Sequence, residues 1–257
     1  MRFIRYLTRS EPARYGWLHD DLVGPLDGTP LGEYRRYEAE LPLDSVSLLA
    51  PIVPGKIICI GRNYVEHAKE HNAEVPEVPL IFLKPTTSII GPGQPIQLPP
   101  QSQQVEHEAE LVVVIGKLGR WIAPSEAFHH VLGYTIGNDV TARDLQRRDG
   151  QWTRAKGFDT FCPLGPYIET EIDPTDLMIT CHVNGEMRQM ASTRDMVFRI
   201  DQLIAFISSV MTLEPGDVIM TGTPAGVSPL RPGDVVQAAI DQLGVLRNPV
   251  SAEAHTS

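Results

Sequence analysis

Residues 105–116 read VEHEAELVVVIG, and no other stretch constrains the fold as strongly. Glu106, Glu108 and Glu110 stand at every second position and run into Leu111-Val112-Val113-Val114-Ile115. A strand alternates its faces, so the three carboxylates share one side and Val112 and Val114 continue it. Acids in line with valines look toward a partly apolar environment. Aligned like charges repel, and burial strengthens the repulsion. The segment therefore predicts a strand beside a core, with something positive set against its first half.

Glu108 and Glu110 have Cα atoms roughly 6.5–7 Å apart on such a strand. Two carboxylates leaning toward a common point can ligate one divalent ion. Glu106, one step further out, can face solvent. The plainer alternative is a solvated edge-strand face. Asp139 bears on the choice. GYTIGNDVTARD (133–144) sets an acid at the end of an apolar strand, where the chain turns into a helix and chemistry tends to collect. Asn138 and Asp139 also read as helix-cap residues. As a third ligand, Asp139 completes an open, oxygen-only site that suits Mg²⁺ or Mn²⁺ better than Zn²⁺.

Turn signals recur along the rest of the chain. Gly (21) and Pro (22) make about a sixth of its 257 residues, which favours many short elements over a helical bundle. KIICIG (56–61), LIFLKP (80–85), LGYTIGNDV (132–140), VIMTG (218–222) and DVVQAAI (234–240) read as strands. ITCHVNGEMRQMA (179–191) reads as a hairpin with a type I′ turn at Asn184-Gly185. Helices are expected over 63–73 with Asn63 as N-cap, briefly from Pro124-Ser125-Glu126, and over 141–150 with Gly150 as its stop. Another is expected over 195–213, with Leu203, Phe206, Ile207 and Val210 on one side. The first fifty residues suggest two or three strands and a helical stretch at YRRYEAEL (34–41). The reading is an α+β, β-dominated protein: a small N-terminal subdomain (1–53), a main body (54–250) and a flexible tail (251–257).

A formal charge of −10 argues against nucleic acid or an anionic membrane as partner, while leaving room for a small anionic substrate. Cys59, Cys162 and Cys181 are odd in number and widely spaced, so neither a disulfide framework nor a zinc knuckle is expected. With no signal-peptide pattern and no apolar run of membrane-spanning length, a reducing cytoplasm is the expected compartment.

Several stretches together are specific. KIICIGRNYVEHAKE (56–70), LIFLKP (80–85), HEAELVVVIG (107–116), GYTIGNDVTARDLQ (133–146), RAKGFDTFCPLGP (154–166), VNGEMRQ (183–189), LEPGDVIMTGTPAGV (213–227) and PGDVV (232–236) follow one another in the order found in the fumarylacetoacetate hydrolase family. The chain resembles that family over roughly residues 54–250. The resemblance implies a mixed, barrel-like roll of sheets with peripheral helices, usually a homodimer. It also implies a Mg²⁺ or Mn²⁺ site at Glu108, Glu110 and Asp139, with no family role for Glu106. The implied substrates are small 2-oxo or 2,4-dioxo acids. The leading expectation is hydrolytic C–C cleavage of an acylpyruvate-like acid. The alternative is isomerisation or decarboxylation of a heptadienedioate or an oxaloacetate-like acid.

His67 and Glu70 lie three apart on a helix, so Glu70 can orient His67 as a base. By composition alone this segment is an ordinary solvated face; the family match makes the pair a catalytic dyad. The resemblance likewise points Lys156 into the site, where a lone Lys is otherwise surface decoration. Arg143 and Gln146, at i+4 and i+7 from Asp139, are candidates for substrate binding, although Arg143 also reads as a helix ion pair with Asp139 or Asp144. Thr223 in TGTP offers a hydroxyl or backbone donor within what also reads as a plain turn. The polar helix over 63–73 suggests a lid closing over substrate. A non-catalytic metal- or acid-binding protein on the same scaffold is the remaining reading.

Overall fold

The apolar half of the acidic stretch forms the strand Ala109–Ile115, buried at every residue. A computed structural model describes residues 1–8 and 12–253. This strand pairs antiparallel with Val131–Asn138 on one side and with Val218–Met220 on the other. Val218–Met220 continues in parallel to Ile57–Gly61, which pairs antiparallel with Leu80–Lys84. On the far side, Val131–Asn138 pairs with Cys162–Glu169, which carries the leading strand Arg2–Leu7. The thirteen-stranded sheet has two free ends, so the expected barrel-like roll is an open one.

The two faces of Ala109–Ile115 enter different cores. Leu111, Val113 and Ile115 join Ile179, Val236 and Ile240 of a second, five-stranded sheet. Val112 and Val114 join Ile57, Cys59, Leu164 and Met220. Glu110 shares the parity of Val112, so it emerges at the edge of this second cluster and inside the roll.

Among the described residues, four α-helices accompany the sheets: α1 (Val65–Glu70), α2 (Arg143–Asp149), α3 (Thr153–Lys156) and α4 (Ile200–Val210). Gly150 ends α2 at φ 70°, as its position suggested. Asn184 and Gly185 both take positive φ, 53° and 82°, in the expected hairpin. The helix expected from Pro124 is a 3₁₀ segment, Pro124–His130.

Several expectations are corrected. Residues 105–116 are not one strand. Val105–Glu106 pairs with Thr141–Ala142, and His107-Glu108 bridges to the next strand. YRRYEAEL is not helical: Tyr34–Arg36 pairs with Leu26–Gly28, because an available sheet edge outweighs intrinsic propensity. Asn63 does not cap α1. Tyr64 holds that position, and the Asn63 side chain is buried elsewhere. On α4 the buried face is Ile200, Leu203, Ile204 and Ile207, while Val210 is exposed. That helix starts late because Thr193–Asp195 forms its own 3₁₀ turn. Among the described residues, the first fifty hold six strands, and Arg2–Leu7 lies within the main sheet. The Met1 ammonium and Arg2 both bond Glu169 there. Ser251 and Ala252 end the strand Gly244–Ala252 rather than starting a loose tail, and residues 254–257 lie outside the described residues. No helix among the described residues is long and apolar enough to cross a membrane.

Candidate active site

Glu108, Glu110 and Asp139 converge where the three central segments meet. One carboxylate oxygen from each lies within 4.8 Å of the other two, and all three residues are buried. Asp139 N–H donates to the Glu108 carbonyl (2.9 Å), and Glu108 N–H donates to Asn138 Oδ1 (2.8 Å), so the two segments clamp each other. Gly222 N–H donates to Glu110 Oε2 at 2.8 Å. Gly222 sits at φ 96°, and a Cβ there would come within 2.7 Å of the Asn63 Cβ. The glycine of TGTP is thus required by backbone conformation and close approach, beyond its reading as a turn residue.

The cations explain how such charge is buried. Lys156 Nζ bridges Glu108 Oε2 (2.8 Å) and Asp139 Oδ2 (2.6 Å). Lys84 Nζ holds Asp139 Oδ1 and donates to the Val140 carbonyl (3.3 Å). Arg143 spans Glu106 Oε2 (Nε, 2.7 Å) and Glu108 Oε1. Glu106 is therefore no solvent-facing bystander: it is buried and anchors the guanidinium that reaches Glu108. Arg143 pairs with neither Asp139 nor Asp144 as its helical spacing suggested, because Val105–Glu106 pairs with Thr141–Ala142 immediately before α2 and brings Glu106 and Glu108 within its reach.

The electrostatics divide the trio. Burial favours the neutral acid at Glu108, but Lys156 and Arg143 outweigh it and hold the carboxyl well below its usual range. Glu110 is pushed well above its usual range by burial and by the charges of Asp139 and Glu108. Three buried cations, Lys84, Arg143 and Lys156, match three of the four buried acids Glu106, Glu108, Glu110 and Asp139, and Glu110, with no cation partner, stays ionised only if a further positive charge enters. An oxygen-only donor set that lacks one positive charge when Glu110 is ionised fits a hard divalent cation such as Mg²⁺ or Mn²⁺.

Opposite this floor stands α1. His67 is buried, and its Nδ1 lies 3.3 Å from Glu70 Oε2. Glu70 also accepts from Gly226 N–H at 3.1 Å. Burial would raise the Glu70 carboxyl, but hydrogen bonds from His67 and Gly226 lower it overall. The ring of His71 meets that of His67 edge to face at 4.7 Å. Burial, then the positive charge of Arg143, lowers the His71 imidazole. Asn63 fixes the entry to α1: Nδ2 donates to the Phe198 (3.0 Å) and Thr221 (2.8 Å) carbonyls, and Oδ1 accepts from Phe198 N–H (2.7 Å).

Glu108 and Glu110 of the floor share with the wall one cavity of about 460 Å³, lined in addition by Arg62, Gln146, Trp152 and Thr223. Gln146 Oε1 accepts from Arg143 at 2.6 Å. The Thr223 hydroxyl donates to the Ala109 carbonyl (2.9 Å) and accepts from Gln189 Nε2 (2.8 Å). A wider groove of about 1250 Å³ lies among the leading strands, lined by residues that include Arg14, Asp27, Glu38 and Asp44. The groups suited to holding a cation and moving a proton lie in the smaller cavity. All nine sequence-derived site residues belong to this neighbourhood. Sequence reasoning missed Lys84, Asn63, His71 and Gln189. Lys84 carried a signal, a lysine closing an otherwise apolar strand, and His71 carried one in its spacing of four from His67; Asn63 and Gln189 carried none.

Residues 56–251 match the family model described as fumarylacetoacetate (FAA) hydrolase C-terminal, and residues 1–51 match the model described as Rv2993c-like, N-terminal. The chain belongs to the fumarylacetoacetate hydrolase family and is an enzyme of that family. It is 50% identical over 223 residues to the human mitochondrial oxaloacetate tautomerase FAHD2B, covering 82% of this chain and 71% of that protein. Its fold matches 2-hydroxyhepta-2,4-diene-1,7-dioate isomerase from Mycobacterium marinum with a TM-score of 0.91 and 42% identity, covering 99% of this chain and 100% of the other. It also matches 5-carboxymethyl-2-hydroxymuconate delta-isomerase from Mycobacterium smegmatis with a TM-score of 0.92 and 45% identity, covering 98% of this chain and 100% of the other.

Proposed function

We propose that the protein interconverts the enol and keto forms of a small 2-oxo dicarboxylic acid, a proton shift rather than a C–C hydrolysis. The observation that carries this reading is the His67–Glu70 pair, lining one cavity with Glu108 and Glu110, which cluster with the buried Asp139. The relatives support the same choice. Their names describe a tautomerase and two isomerases acting on oxaloacetate or on 2-hydroxy dienedioate-type acids, which favours isomerisation over the expected hydrolysis.

Glu108, Glu110 and Asp139 would hold Mg²⁺ or Mn²⁺, which when bound supplies positive charge to the oxygens of a 2-oxo acid. The protein's own groups do the rest. His67, with Nδ1 donating to Glu70, keeps the Nε2 lone pair for the proton in transit. In the enol-to-keto direction the enol O–H bond breaks, a C3–H bond forms, and His67 carries the proton between those atoms. The reverse direction breaks C3–H and restores the hydroxyl. Lys156 keeps Glu108 and Asp139 in place, and its ammonium adds positive charge on the side where negative charge develops. Arg143 and Gln146 orient the substrate carboxylate, and Thr223 shapes the opposite wall. A general base of this kind contributes about 10²–10⁴-fold.

The test is a substrate panel with Mg²⁺ present: the enol of oxaloacetate, 2-hydroxyhepta-2,4-diene-1,7-dioate and acetylpyruvate. The expected result is loss of enol or diene absorbance from a dicarboxylate, with neither pyruvate nor CO₂ formed beyond the spontaneous rate. Stoichiometric pyruvate from acetylpyruvate would restore the hydrolase reading, and stoichiometric CO₂ would make the protein a decarboxylase.

A further inference from the structure

We propose that His67, Glu70 and His71 form a second metal site, one that takes Zn²⁺ or a similar nitrogen-preferring ion and is separate in its chemistry from the carboxylate floor. The order His67-Ala68-Lys69-Glu70-His71 sets an acid and a second imidazole three and four residues after the first, on one face of a helix. The structure keeps that alignment through the last turn of α1, although His71 is already its C-cap residue. One ligand atom from each of the three residues lies within 4.8 Å of the other two. The His67 and His71 rings approach edge to face at 4.7 Å.

A second observation points to a ligand. His71 Nε2 is buried and has no hydrogen-bond partner among the described residues. A buried polar atom without a partner is costly, and a bound cation would satisfy it. The residues line the 460 Å³ cavity, so an ion has a route in from solvent. Two imidazoles and one carboxylate suit Zn²⁺, with a further position left for water, whereas the all-oxygen floor suits Mg²⁺ or Mn²⁺. One consequence rests on the proposed function. An ion on either ring nitrogen of His67 removes it as a base, by taking the Nε2 lone pair or by taking Nδ1 and leaving the proton on Nε2, so Zn²⁺ should inhibit the Mg²⁺-loaded enzyme.

Calorimetry with Zn²⁺ on protein kept in excess Mg²⁺ reads the site directly. It would compare the wild type, His71→Ala, His71→Phe and a Glu108→Gln/Glu110→Gln variant. The expected result is one Zn²⁺ per wild-type chain. The His71 variants should weaken it beyond the roughly 10–100-fold that losing a supporting partner costs, and the floor variant should retain it. If the His71 variants do not fold, the visible spectrum of Co²⁺ added to Mg²⁺-saturated wild type decides. Intense bands of a low-coordinate nitrogen site are expected, and the weak bands of an octahedral oxygen site would overturn the proposal. Equal Zn²⁺ affinity in folded His71 variants, or no Zn²⁺ bound while Mg²⁺ is in excess, would also overturn it. Binding without inhibition would uphold the site and count against His67 as the proton carrier.

Discussion

The floor and the wall of the cavity are built in opposite ways. Glu108, Glu110 and Asp139 stand at the ends of fully paired central strands, and Lys84, Lys156, Arg143 and Gly222 N–H fix their oxygens. The wall is a six-residue helix without a side-chain cap, too short to hold its own shape. It stays in place through Asn63, Gly226 and the burial of His67 and Ala68. The floor's charge is therefore a property of the whole fold, while the wall's position hangs on a few hydrogen bonds. Damage to the floor should abolish cation binding, and damage to the wall should slow proton transfer while cation binding survives.

The largest effect should come from Glu108→Gln/Glu110→Gln. Calorimetry should find no Mg²⁺ binding at the floor, and turnover should fall to background. Mg²⁺ affinity like the wild type's would remove the floor from the account. Lys156→Met comes next, because it strips a buried partner from both Glu108 and Asp139. Thermal melts in chelator should report a loss of about 3–5 kcal/mol, partly recovered on adding Mg²⁺. No recovery would mean that the lysine and a cation do not compensate the same charge.

Asn63→Ala sharpens the contrast from the other side. It leaves the Phe198 and Thr221 backbone groups unpaired, for a cost of about 1–3 kcal/mol. Amide exchange over residues 65–73 should quicken, and kcat should fall with Mg²⁺ affinity unchanged. The smallest effect is the pH response of the wall. The Glu70 carboxyl lies below its ordinary value of 4.5 in the folded protein, so its bonds to His67 and Gly226 stabilise above that pH and fade as Glu70 protonates below it. Glu70→Gln should melt lower than the wild type at pH 7, by no more than about 1 kcal/mol for so exposed a group, and the gap should close in acid. A gap that widens in acid would reverse the sign assigned to Glu70.

The sequence was most legible where local pattern and final structure agree. The strand read over 105–116 holds in its apolar part, Ala109–Ile115, the glycine stop ended α2, and Asn184-Gly185 marked the hairpin. Glu108, Glu110 and Asp139 could be paired because strand parity and a strand end both constrain geometry. What stayed hidden depends on contacts between distant residues. Glu106 looked like a surplus acid because its partner, Arg143, lies on a helix beyond the next long strand. Lys84 was read only as part of a strand, because its partner Asp139 is distant in the chain, and Asn63 looked like a cap until Phe198 and Thr221 came within its reach. Cys162–Glu169 was missed because Pro163, Gly165 and Pro166 imitate a loop, though its flanking residues make it the seam with the N-terminal strands.

The central claim is that the floor holds a cation while His67 moves a proton. Its most direct test follows the C3 hydrogens of oxaloacetate by NMR in D₂O, with Mg²⁺-loaded wild type and His67→Ala at equal Mg²⁺ occupancy. The account predicts enzyme-dependent deuterium exchange at C3 without pyruvate formation, slowed about 10²–10⁴-fold in His67→Ala. Exchange at the wild-type rate in His67→Ala, or exchange accompanied by equimolar pyruvate, would contradict it.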